Sequence, residues 1–113
     1  MKVKDLKTIL LPLELGGRTF KIAFDFNAIC ELDEVYGDFE KAIKSIQEGT
    51  GRLKAIRALV YAAIKPRCED ITLIEVGELL TSILNDSEKA NYLVAQIDKA
   101  INLAMPAKED LGE

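Results

Sequence analysis

At 113 residues, with 49% apolar and 30% charged residues and a net charge of −4, the chain has the make-up of one globular domain that folds without a metal or disulfide. It contains no histidine, which removes Ser-His and Cys-His dyads, histidine-completed zinc sites and carboxylate-histidine di-iron sets, and its acidic balance opposes a phosphate-backbone ligand. No apolar run approaches the ~20 residues of a membrane span, and Glu14 interrupts the one near the basic start, so neither membrane insertion nor secretion is expected and the expected location is cytoplasmic.

From Thr8 to Phe24 two alternating runs flank Gly16-Gly17, a pair suited to the positive φ values of a two-residue hairpin turn. With those glycines as the loop, Leu13 opposes Phe20, Leu11 opposes Ile22 and Ile9 opposes Phe24, all on one apolar face. The other face carries Glu14, Thr19, Lys21 and Ala23. Pro12 falls opposite Lys21 at a non-hydrogen-bonded pair, where its missing N–H would point outward, which puts the first strand at a sheet edge. The outer edge of the second strand, Thr19 to Phe24, has no proline and is open to a strand from a partner.

The segment Phe24–Gly37 is the expected hub. Asp25 is placed to cap a helix over about 26–36, and Gly37 to close it in the left-handed conformation. Ala28, Ile29, Leu32, Val35 and Tyr36 share its apolar face, with Cys30 and Asp33 on the polar flank. Asp38 starts a second helix (39–48) that Gly49 stops. The third (52–64) is apolar nearly all round in its second half, so it is expected at the centre, with Leu53, Ile56 and Val60 in its stripe and Pro66 beyond its end. Thr72 with Glu75 forms a capping box, and Ile71 with Val76 a hydrophobic staple, for a fourth helix (73–84). Gly77 in its middle suggests a close backbone approach. One of Asn85, Asp86 and Ser87 caps the last helix (88–105). The expected architecture is α+β, mostly α: residues 1–105 form one domain, an N-terminal β-hairpin (8–24) packed on about five helices, followed by a disordered acidic tail, 106–113.

Little of this carries reaction chemistry. The carboxylates at Glu31, Asp33, Glu34, Asp38 and Glu40 do not follow the calcium-loop order and read as a solvated face. Cys30 and Cys68 lack metal-ligand spacing and are expected as free, buried or half-buried thiols. No enzyme activity, metal or cofactor is expected. Ile74 and Leu79 lie off the stripe of the fourth helix, and with Thr19, Lys21 and Ala23 of the hairpin they make the expected partner-binding surface.

The order of elements resembles the tail assembly chaperones of long-tailed bacteriophages and gene transfer agents. The likeness covers about residues 15–84 and is carried by FDFNAICELDEVYG and by RALVYAAI followed by TLIEVGELL. Asp33 stands where Glu is usual, and KPRCED is an unusual connection. The resemblance implies a non-enzymatic cytoplasmic protein that coats the tape measure protein and recruits tail tube subunits without entering the finished virion. Two other readings remain: an oligomeric structural protein, and a helix-turn-helix regulator in which ITLIEVGELL precedes a recognition helix. Against the last, the following helix sets Lys89 and Lys99 against Glu88 and Asp98 and has no arginine to fork onto guanine. Fluorescence anisotropy with duplex DNA at about 50 mM salt should therefore show no saturable binding, whereas an affinity that collapses as salt rises would restore the regulator reading.

Overall fold

The computed structural model describes residues 9–104, and the expected tail lies outside them. The chain is α+β and mostly helical. An antiparallel hairpin, β1 (Leu11–Leu15) and β2 (Arg18–Ile22), precedes α1 (Phe26–Tyr36), α2 (Phe39–Glu48), α3 (Arg52–Ile64), a 3₁₀ turn (Lys65–Arg67), α4 (Leu73–Thr81) and α5 (Ser87–Ala104). No helix among the described residues is long and apolar enough to cross a membrane.

The hairpin register follows from its turn. Gly16 and Gly17 have φ of 60° and 80°, conformations that cost an L-residue with a side chain about 1–2 kcal/mol. That turn pairs Leu11 with Ile22, Pro12 with Lys21 and Leu13 with Phe20. Leu13, Leu15, Phe20 and Ile22 are buried on the face toward the helices. The ladder stops at Leu11 and Ile22, so the expected Ile9–Phe24 pair does not form: Phe24 is buried, but Ile9 is exposed. Alternation stops there too. Ala23, expected on the outer face, is buried where the chain leaves the sheet for the cap of α1.

Caps set most helix ends. Asp25 accepts a bond from Ala28 N–H at 3.0 Å, and Gly37 closes α1 at φ 101°. Asp38 caps α2 through Glu40 N–H at 2.9 Å, and Asp86 caps α5 through Lys89 N–H at 3.1 Å. Only half of the capping box of α4 is made: Thr72 accepts from Glu75 N–H at 3.1 Å, while the Glu75 carboxylate turns away to pair with Arg18 at 2.8 Å. Ile71 and Val76 are both buried, as a staple requires. α4 ends at Thr81, short of the expected 84. There the Thr81 and Ser82 hydroxyls donate back to the carbonyls of Gly77 and Leu79, and the backbone N–H groups of 82–84 bond three residues back instead of four.

The centre of the molecule is α3, which packs against α1, α2, α4 and β2. Its Ala55, Ala58, Leu59, Val60, Ala62, Ala63 and Ile64 are all buried. The expected hub at Phe24–Gly37 is thus one neighbour of a different centre, since α1 buries only a single stripe led by Ala28 and Leu32. Leu53, expected in the stripe of α3, is exposed, as are its neighbours from Gly51 to Lys54, and burial along α3 begins at Ala55.

Gly77 corrects a further expectation. Among the described residues no backbone of another element comes within 4 Å of a Cβ placed there; that Cβ would rest 3.5 Å from Cδ of Arg57, an ordinary side-chain contact. Gly77→Ala should accordingly stabilise the protein by about 0.5–1 kcal/mol, the helix-propensity difference. Gly16→Ala should destabilise it by at least about 1 kcal/mol, because φ is positive and the added Cβ meets Cδ2 of Leu79. Urea unfolding of the two variants measures both, and equal behaviour would contradict these placements.

Candidate functional site

The residues expected to form one partner surface are not equivalent in the fold. Thr19, Lys21 and Ile74 are exposed; Ala23 is buried and unavailable to a partner. Leu79 is half-buried against the core and covers the hairpin turn at Gly16, so it belongs to the packing of α4 on the hairpin. The Arg18–Glu75 pair and the Arg18 guanidinium, 4.7 Å over the Phe20 ring, tie the same two elements together.

The two edges of the ribbon differ. In β1, residues 12 and 14 direct their backbone groups outward, and α5 covers them: Glu14 N–H donates to the Tyr92 hydroxyl at 3.1 Å, and Gln96 Nε2 donates to the Pro12 carbonyl at 2.7 Å. The fit is geometric. Residues four apart on a helix rise roughly 6 Å, close to the ~6.8 Å between alternate residues of a strand. Along β2 the outward groups of Thr19 and Lys21 make no hydrogen bond to the described residues.

A larger feature lies on the other side of α5. Because α5 packs on β1 while α2 packs on α3, a groove of about 700 Å³ opens between α2 and α5. Phe39, Ile43 and Ile46 form its α2 wall, Ile56 and Leu59 of α3 its base, and Leu93, Val94, Ile97 and Ile101 its α5 wall. The polar lining residues, Glu40, Lys44 and Gln47 on α2 with Asp98 and Asn102 on α5, belong to the helix flanks. The base, Ile56 and Leu59, therefore has nothing to orient a polar small molecule. Phe39, Ile43, Ile46, Ile56, Leu93, Ile97 and Ile101 sit in apolar stripes that the sequence makes plain, whereas Val94 and Leu59 lie beside them; that two of those stripes stop short of each other does not follow from periodicity.

The connection after α3 is structural. Arg67 reaches Asp25 Oδ2 at 3.3 Å and the Ala23 carbonyl at 3.4 Å, joining the exit of β2 to the cap of α1. Lys65 donates to the carbonyls of Glu69 and Ile71, closing the loop before α4. Cys68 is half-buried in that loop; Cys30 is exposed on the polar flank of α1, where helical spacing placed it, and is not the half-buried thiol that cysteine usage suggested. Among the described residues no group of three or more cysteines or carboxylates is placed to hold a metal ion.

No protein-family model matches the chain, and neither a curated protein nor a solved structure matches it.

Arg67→Met should cost about 1–3 kcal/mol, because it strips the Ala23 carbonyl and Asp25 of a half-buried charged partner, and chemical denaturation measures this directly. A loss below about 0.5 kcal/mol would mean that the guanidinium does not brace the hairpin against α1.

Proposed function

We propose that this chain is a non-enzymatic polypeptide-binding protein, a tail assembly chaperone that holds helical segments of a tape measure protein and recruits tail tube subunits in the host cytoplasm. The observation that carries the reading is the groove between α2 and α5, whose base is wholly apolar and whose charged residues, of both signs, stand on the helix flanks. A long helical client presents the same apolar stripe repeatedly, so many copies of one modest groove coat it by avidity. The resemblance of residues 15–84 to such chaperones supplies the identity of the client, and the groove supplies a means of holding it. The outward backbone groups of Thr19 and Lys21, which bond to none of the described residues, suit a second contact along β2, either to another copy of this chain or to a tail tube subunit.

Co-expression tests the proposal. The wild-type protein should raise the soluble yield of a co-expressed tape measure protein several-fold. Val94→Asp, at a groove position that is 51% exposed, should abolish most of that gain while leaving the thermal midpoint unchanged. A wild-type protein that leaves the client insoluble would overturn the client assignment, and a Val94→Asp variant as effective as wild type would remove the groove from the mechanism.

A further inference from the structure

A second concavity, of about 360 Å³, lies where the end of α1, the flank of α2 and the first half of α3 meet the start of α4. Its polar lining is entirely cationic or hydroxylic: Lys41, Lys54, Arg57, Tyr36 and Ser45, with no carboxylate. In a chain of net charge −4 that is a concentration of positive charge against the overall balance. Neither ion pair among the described residues, Arg18–Glu75 or Arg67–Asp25, involves these three cations. Arg57 is half-buried, its aliphatic stem laid across Gly77, and no hydrogen bond from its guanidinium is present among the described residues. Its guanidinium nitrogens are not sealed from solvent, so an incoming acceptor can reach them.

Two more features point the same way. The first turn of α3 contains Arg52 and Lys54 and no acidic residue, which sets positive charge against the positive end of the helix dipole. Lys54 and Arg57, three apart on one face, also repel each other. An anion in the concavity relieves both. On its wall the Tyr36 and Ser45 hydroxyls are 2.9 Å apart, so one proton serves their mutual bond and the other is left to donate outward.

We propose that this concavity is an oxyanion-binding site for a phosphate or carboxylate group on a small molecule. Lys41 and Lys54 supply point charges, Arg57 a planar donor pair, and the Tyr36–Ser45 couple one neutral donor. The site is separate from the groove and does not depend on the tail-assembly reading.

Titration of the ¹⁵N-labelled protein with inorganic phosphate, with succinate, and with sodium chloride at matched ionic strength tests the proposal. Saturable shifts at the amides of Ser45, Lys54 and Arg57 are expected with an oxyanion and not with chloride. Saturation by phosphate alone, or by succinate alone, identifies the group the site selects. Lys41→Gln with Lys54→Gln should weaken binding about tenfold or more without lowering the thermal midpoint, since both side chains are exposed. Tyr36→Phe should weaken it less. The proposal is overturned if chloride reproduces the shifts, if neither oxyanion saturates, or if the double variant titrates like wild type.

Discussion

The packing of α3 is the constraint on which the rest of the molecule depends. A helix contacted by α1, α2, α4 and a strand must be narrow, because the distance between helix axes is set by the side chains at the contact. Ala55, Ala58, Ala62 and Ala63 provide that narrowness, while Leu59, Val60 and Ile64 supply the bulk that fills the space between. Full burial of each larger side chain is worth roughly 1.5–3 kcal/mol. With the centre occupied in this way, each surrounding element needs one apolar stripe only and leaves its other face for solvent or for a partner.

The hairpin is held to that helical body by contacts that differ in kind. At its turn, Leu79 and the Arg18–Glu75 pair fasten it to α4; along β1, Tyr92 and Gln96 satisfy outward backbone groups from α5; where β2 ends, Arg67 bonds the Ala23 carbonyl and the Asp25 cap. A ribbon of two strands is marginal by itself. Here the helices cover its apolar face and one of its edges, and in taking up that edge α5 is drawn onto β1, leaving the groove beside α2.

α2 is the partition between the two candidate sites. Ile43 and Ile46 on one flank look into the apolar groove, and Lys41 and Ser45 on the other into the cationic concavity. This follows from amphipathicity at helical spacing, in which residues two apart face different directions while those three or four apart share a face. A single ten-residue helix thus offers an apolar surface suited to a polypeptide and a charged one suited to a small anion, on opposite sides.

Sequence alone determined the local rules. The paired glycines of the hairpin, the caps Asp25, Asp38 and Thr72, the closing glycines Gly37 and Gly49, and the periodicity that makes α3 central are short-range preferences, and each is realised. The tertiary structure decided which surfaces stay open. Ala23 and Leu79 read as outward-facing by alternation and helical spacing, yet one is buried where the ladder ends and the other covers a turn more than sixty positions earlier in the chain. The pairing of Tyr92 and Gln96 with β1, the gap between α2 and α5, and the gathering of Lys41, Lys54 and Arg57 likewise join residues far apart in the chain or on different helices. Periodicity gives a side chain's direction relative to its own element. What lies in that direction is set by packing between elements, and no local pattern encodes it.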